Sequence, residues 1–239
     1  MQRRLLVLRR FASKPRFALR PDLPLPKYLE DNYWWAYLHP QGLHIFEREW
    51  LVNLILWGNF SSLRDVALQE FQSGPQKVLQ VACVYGNFTQ KLAQQLPEAQ
   101  IDVVDVAPIQ LENLAKKVAN YSNVSLHHRS SADLKFPTAT YDSVILFFLL
   151  HEMPQDVRLA TISEALRVVK PGGKVVFVDY HKPVALSPFR YLMVPILSTL
   201  EPFALDLWRH KLEDWLPPKT HSSKETFFGG LYQKVVCTK

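Results

Sequence analysis

The segment Val78-Leu79-Gln80-Val81-Ala82-Cys83-Val84-Tyr85-Gly86-Asn87-Phe88 constrains this chain more than any other. It reads as a short apolar strand, a tight turn and the opening of a helix. In an open α/β sheet such an element cradles a nucleotide, because it brings backbone N–H groups and a helix N-terminus to the end of a buried strand. The turn here is poor in glycine. Ala82, Val84 and Tyr85 occupy it, and Gly86 alone can bring bare backbone close to a ligand and open the helix. The expectation is a nucleotide-binding scaffold with side chains in its cradle.

From Lys77 onward, strand and helix patterns alternate. Val78–Ala82, Ile101–Val106, Val124–His128, Tyr141–Phe148 and Lys174–Asp179 read as strands, and Thr89–Leu96, Ile109–Ala119 and Gln155–Val169 as helices. Pro171-Gly172-Gly173 reads as a turn. The alternation predicts a parallel α/β sheet with right-handed crossovers. A Pro-rich, aromatic, largely helical insert, 182–218, interrupts it, and Phe227–Cys237 reads as an antiparallel hairpin completing the sheet. Upstream, 21–74 holds a Pro-rich linker and an aromatic cap, with two helices expected over Tyr28–Leu68. The main domain is therefore 75–239.

Charge is unevenly distributed. The formal +6 includes seven basic residues within the first twenty (Arg3, Arg4, Arg9, Arg10, Lys14, Arg16 and Arg20) and no acidic one; the rest holds 21 basic against 22 acidic residues. Residues 1–20 have the Arg-rich, acid-free pattern of a mitochondrial transit peptide, with a basic tail or membrane-surface helix as the other reading. The basic balance therefore belongs to the leader, and no nucleic-acid partner is expected. Cys83 and Cys237 are too few and too far apart for a disulfide framework or a zinc site.

Candidate ligand contacts recur at the carboxyl ends of successive strands. The Ala82–Gly86 turn is the first. Asp105, with Val106 beside it, ends the second strand, where a carboxylate can accept both hydroxyls of a ribose. Ala132 and Asp133 follow the third, where a carboxylate can reach an adenine amino group. Singly, Asp105 or Asp133 reads equally well as a turn or helix cap.

With these features in order, and with Leu166-Arg167-Val168-Val169-Lys170-Pro171-Gly172-Gly173-Lys174-Val175-Val176 leading into the fifth strand, the chain resembles the class I S-adenosylmethionine-dependent methyltransferases. That resemblance implies a Rossmann-like, mostly parallel seven-stranded sheet and S-adenosyl-L-methionine as ligand. Gln80 departs from the acidic residue usual at the end of the first strand. Asp31–Pro40, Trp50–Asn59, Val81–Gly86, Leu149–Pro154 and Glu201–Arg209 are similar in turn to the rhodoquinone biosynthesis family RquA. This closer resemblance implies a methyltransferase-like enzyme that converts ubiquinone to rhodoquinone, replacing a ring methoxy group by an amino group. Its implied amino donor is S-adenosylmethionine, with Mn2+ assisting, on the matrix side of the mitochondrial inner membrane.

Such chemistry needs a base for the incoming amine, an acid or Lewis acid for the departing methoxide, and stabilisation of the ring carbonyl. His151 and Glu152 end the fourth strand; Asp179 and His181 end the fifth. These four, with Tyr85, are the candidate catalytic residues. Glu152, Asp179 and His181 are the candidate manganese ligands, since that ion prefers carboxylate and accepts imidazole. The alternative is that His151 caps the next helix while Glu152 or His181 faces solvent. Tyr85 either donates to a quinone carbonyl or walls the cavity. His127 and His128 diverge from one strand and read as structural. Tyr33, Trp34, Trp35 and Tyr37 are core, a quinone stack or a lipid-interface anchor. Segment 188–208 is a membrane-surface entry for an isoprenoid tail, a dimer surface or a lid. A methyltransferase acting on a quinone precursor and a non-catalytic assembly factor are the rival functions.

Overall fold

A computed structural model describes residues 18–20, 22–218 and 220–239. Most of the expected leader, 1–17, lies outside the described residues.

The core is a seven-stranded sheet in the order β3-β2-β1-β4-β5-β7-β6. Its strands are β1 (Lys77–Val81), β2 (Gln100–Asp105), β3 (Val124–His128), β4 (Tyr141–Phe147), β5 (Val169–Tyr180), β6 (His221–Phe227) and β7 (Tyr232–Thr238). The first five pair in parallel, and β7 runs antiparallel to both β5 and β6. Helices α5 (Phe88–Gln95), α6 (Pro108–Lys117) and α7 (Gln155–Val168) make crossovers. Covered on both sides, β1 and β4 bury nearly every residue, so they read as continuous apolar runs.

The chain leaves β1 toward β2 on one side, and β4 leads to β5 on the other. The loops after β1 and β4 therefore diverge, which opens a crevice above the carboxyl ends of those two strands.

Two local expectations are corrected. Pro171-Gly172-Gly173 does not separate α7 from the fifth strand; it is absorbed as an irregularity within β5, where Tyr141 pairs Val169 and Ser143 pairs Lys174. The C-terminal hairpin also starts earlier than expected, because polar, mostly exposed β6 carries no alternating apolar signal.

The cap is more broken than two helices. It comprises α1 (Lys27–Tyr33), a π-helical turn over Trp34–Leu38, α2 (Pro40–Phe46), α3 (Glu49–Ile55) and α4 (Phe60–Gln69). Gly42 is required where α2 crosses that turn, since a Cβ there would lie 1.8 Å from the Trp35 carbonyl oxygen. The insert contributes α8 (Phe189–Leu200), α9 (Asp206–Arg209) and a 3-10 turn at Leu212–Trp215.

Candidate active site

A cavity of about 330 Å³ occupies the crevice, at the small end of the range for ligand pockets. Its floor is the loop after β1 and the ends of β2 and β4; its roof is the cap and the end of α8.

At the β1–β2 end the backbone is tightly tied. Ala82 has φ of 71°, a left-handed conformation costly for a residue with a Cβ. Two contacts of Gln80 brace it. Its side-chain amide donates to the Ala82 carbonyl at 2.9 Å, and its oxygen accepts from Thr89 Oγ1 at 2.9 Å. Gln80 is completely buried, so an acidic residue there would face a heavy desolvation cost. Asp105 accepts from the N–H groups of Cys83, at 2.7 Å, and Ala107, at 2.8 Å. One bond to each oxygen leaves further lone pairs for ligand hydroxyls. Burial pushes the Asp105 carboxyl up, and those N–H groups oppose the rise.

Ala82, Val84, Asp105 and Val106 line the cavity. Gly86 does not; its φ of 73° and its approach to Phe60, 3.0 Å from a would-be Cβ, make it a packing glycine. Ala132 and Asp133 also lie outside the lining. Asp133 is exposed and pairs with Lys135 at 2.7 Å, so it is not brought to an adenine position. Arg129 and Ser131 line the cavity on this side instead. Arg129 lies over the Phe136 ring at 3.9 Å and Ser131 bonds Thr161 at 2.9 Å.

At the β4–β5 end, side chains make the site. His151 sits on a 3-10 turn after β4 (Leu150–Glu152), and its Nδ1 lies 2.9 Å from Asp179 Oδ1. Asp179 itself accepts from the N–H groups of Leu150, at 2.8 Å, and Tyr180, at 2.7 Å. Fixed in this way, Asp179 orients the imidazole as a triad aspartate orients its histidine. His151 Nε2 is 3.9 Å from both Glu152 Oε1 and Glu201 Oε2. Burial pulls the His151 pKa down, but Asp179 and the two glutamates outweigh it and push it up to about 9. Burial pushes Glu152 up to about 8, with Glu201 adding to the rise. Near neutral pH the imidazolium is held charged and Glu152 is held neutral.

Arg158, fully buried, locks this turn. Its Nε donates to the Leu150 carbonyl at 2.9 Å, and its Nη2 donates to those of Met153, at 2.9 Å, and Phe203, at 3.1 Å.

The expected manganese set does not assemble. Asp179 is engaged as described, and His181 turns away, its Nδ1 2.8 Å from the Gly230 carbonyl oxygen in a different groove. Among the described residues no three His, Cys, Asp or Glu side chains gather in a way that could hold a metal.

Tyr85 walls the cavity. Its hydroxyl donates to the Ala36 carbonyl at 2.6 Å and accepts from Gln110 at 2.9 Å, so no proton is left over for a quinone carbonyl. Its ring stacks on Tyr37, 5.5 Å away and 5° from parallel. The Tyr37 hydroxyl donates to Glu152, so the π-helical turn reaches the acidic cluster. Tyr33, one turn earlier, also lines the cavity. His127 bonds Asp102 at 2.8 Å and His128 bonds the Val106 carbonyl at 3.0 Å, both as sheet struts.

The β1–β2 end, where a buried carboxylate keeps free acceptor capacity above a tied loop, suits the hydroxyls of a nucleoside, and the Tyr37–Tyr85 stack fills the adjoining wall.

Comparison with known proteins bears on this arrangement. Residues 78–173 match the methyltransferase domain family. The chain is 35% identical over 106 residues to the demethylmenaquinone methyltransferase of Bacillus licheniformis, covering 44% of this chain and 45% of that one. It is 29% identical over 147 residues to the Staphylococcus aureus protein of the same name, covering 60% of each. It thus spans less than two thirds of both curated relatives. Among solved structures, the phosphoethanolamine N-methyltransferase 2 of Haemonchus contortus in complex with S-adenosyl-L-methionine superposes with a TM-score of 0.64 at 14% identity, over 88% of this chain and 59% of that one. An O-methyltransferase family protein from Burkholderia thailandensis gives 0.63 at 13%, over 85% and 61%. The fold is that of the class I methyltransferases, and the matched segment is similar in sequence to demethylmenaquinone methyltransferases.

Proposed function

We propose that this chain is an S-adenosylmethionine-dependent transferase acting on a quinone ring, and that it aminates ubiquinone to rhodoquinone on the matrix side of the mitochondrial inner membrane. One observation carries the reading. A single cavity runs from the Asp105 ledge to a buried His151–Asp179 pair, and the Tyr37–Tyr85 stack occupies its wall where the cofactor loop would otherwise be small. A displaced methionine end suits a donor that offers its amine rather than its methyl.

S-adenosylmethionine, when bound, supplies the transferred group. Asp105 accepts the ribose hydroxyls. In the exchange the amine loses a proton as nitrogen bonds to the ring carbon, and the methoxy group leaves that carbon as methanol after gaining one. Release of the free aminoquinone then requires the bond from nitrogen to the donor's α-carbon to break, balanced by water, with hydrogen going to nitrogen and hydroxyl to the departing carbon. His151, once it has given up the proton it holds near neutral pH, accepts the first proton at Nε2, with Asp179 stabilising the imidazolium that results. Glu152, kept neutral by burial and by Glu201, donates the second. No step is assigned to manganese, since the residues expected to hold it do not converge.

A second reading, methylation of a quinone precursor, is favoured by the homology to demethylmenaquinone methyltransferases. Mass spectrometry separates the two. The purified chain is incubated with ubiquinone and S-adenosylmethionine carrying nitrogen-15 at its amino group. Amination puts the label on the ring; a ring methyl with stoichiometric S-adenosylhomocysteine would establish the second reading instead.

A further inference from the structure

The rim of the cavity and the insert beside it are apolar on the outside. Trp50, Leu54 and Trp57 are exposed on the cap side, and Leu186, Tyr191 and Leu192 on the insert side, Leu186 at 97%. Trp57 meets Phe189 at 5.0 Å, ring centre to ring centre, which joins the two stretches. Ile55 and Leu200 face both solvent and the cavity, so the patch is continuous with its mouth. Large apolar side chains grouped in this way mark an interaction surface.

An open groove of about 350 Å³ adjoins this patch. Lys182, Arg190, Arg209 and Lys211 line it, with Asp214 as its single carboxylate. Arg209 is paired with Asp206 at 3.2 Å. Among the described residues Lys182, Arg190 and Lys211 pair with no carboxylate, although the chain beyond residue 20 is close to neutral. Arg190 belongs to both features, because it lies in the first turn of apolar α8 while its guanidinium reaches the Pro183 carbonyl at 3.3 Å. A helix with an apolar exposed face and a cation cluster at its start combines the two attractions of an anionic bilayer: burial of apolar surface and Coulomb attraction to headgroups.

We propose that this face docks on an anionic phospholipid surface, with α8 and the Trp50–Trp57 side chains entering the boundary between headgroups and acyl chains and the groove at Lys182, Arg190 and Lys211 taking a headgroup phosphate. The cavity mouth at Ile55 and Leu200 then opens toward the acyl chains. A lipid-borne ring reaches His151 without crossing bulk water. The inference uses no residue of the reacting centre and holds whichever group is transferred.

Flotation of the full chain with vesicles of phosphatidylcholine, alone or mixed with phosphatidylglycerol, tests it. The chain floats with the anionic vesicles in preference to the neutral ones. Each cation removed weakens that binding about fivefold, so K182Q/K211Q loses roughly tenfold to thirtyfold. Y191S/L192S lowers binding to both compositions. All four positions are surface side chains, and circular dichroism confirms that the variants fold. Equal flotation with both vesicle types, or unchanged binding by K182Q/K211Q, overturns the proposal. So does saturable binding of inorganic phosphate without vesicle binding, which would make the groove a site for a soluble anion. A dimer that L192S dissolves would assign the apolar face to a second copy of the chain and overturn it as well.

Discussion

The two ends of the cavity are built by different means. At the β1–β2 end the main chain makes the site: a left-handed Ala82, a buried Gln80 bracing its carbonyl, and N–H groups converging on Asp105. At the β4–β5 end four ionisable side chains, His151, Glu152, Asp179 and Glu201, crowd within a few ångströms, and the protonation of His151, Glu152 and Glu201 is shifted by burial and by these neighbours. The first end is fixed geometry and suits recognition. The second is a set of movable protons and suits chemistry. The contrast follows from sheet topology, because β1 and β2 deliver their loops directly under the crevice, whereas the far end draws residues from two strand ends, the cap and the insert.

This comparison breaks first at Asp179. Asp179→Asn keeps the shape but removes the charge that stabilises the imidazolium, so turnover should fall by about a hundredfold to ten-thousandfold, the range of general acid–base contributions. Turnover within tenfold of wild type would show that the His151 pair is structural. Asp105→Asn is expected to act on binding, weakening S-adenosylmethionine by roughly tenfold to a hundredfold in calorimetry, since charge-assisted hydrogen bonds are worth about 1.5–3 kcal/mol. Loss of turnover at saturating donor with unchanged affinity would erase the division between the ends.

How much of this was legible in the sequence differs between the same two regions. Buried parallel strands are apolar runs bounded by turns, so β1 to β5 and the place of Asp105 followed from local pattern. Asp133 did not, because a carboxylate after β3 reads the same whether it faces the crevice or pairs with Lys135 at the surface. Glu201 stood in the sequence only as the first residue of the Glu201–Arg209 stretch, with nothing to mark it as a site residue. It follows the apolar α8, far along the chain from His151, and only the packing of the insert brings them together. Gln110 was hidden in the same way, meeting the site through a tertiary hydrogen bond, whereas Tyr37 stood out as an aromatic and only its bond to Glu152 was out of sight.

Two smaller effects sharpen the contrast. His151 moves from an ordinary 6.5 to about 9, and Glu152 from 4.5 to about 8. Both are raised, so the folded protein binds more protons than the unfolded chain between those values. The stability they contribute is complete below their ordinary values and is lost as pH rises through the folded ones. Melting temperature measured by scanning fluorimetry should therefore decline from about pH 5 to about pH 9, and a profile that rises over that interval would contradict the cluster. The smallest effect expected is that of Tyr85→Phe. Stacking on Tyr37 is retained and the bonds with Ala36 and Gln110 are lost, at a cost of about 1 kcal/mol, with turnover nearly unchanged. A drop in turnover beyond a hundredfold would give that hydroxyl a chemical role.

Arg158 has a mechanical consequence. One guanidinium clamps carbonyls from the turn that bears His151 and from the segment that follows α8. Neither piece can shift without dragging the other. The loop that follows α8 and the turn that carries the imidazole therefore keep one register, riveted together by a single buried cation.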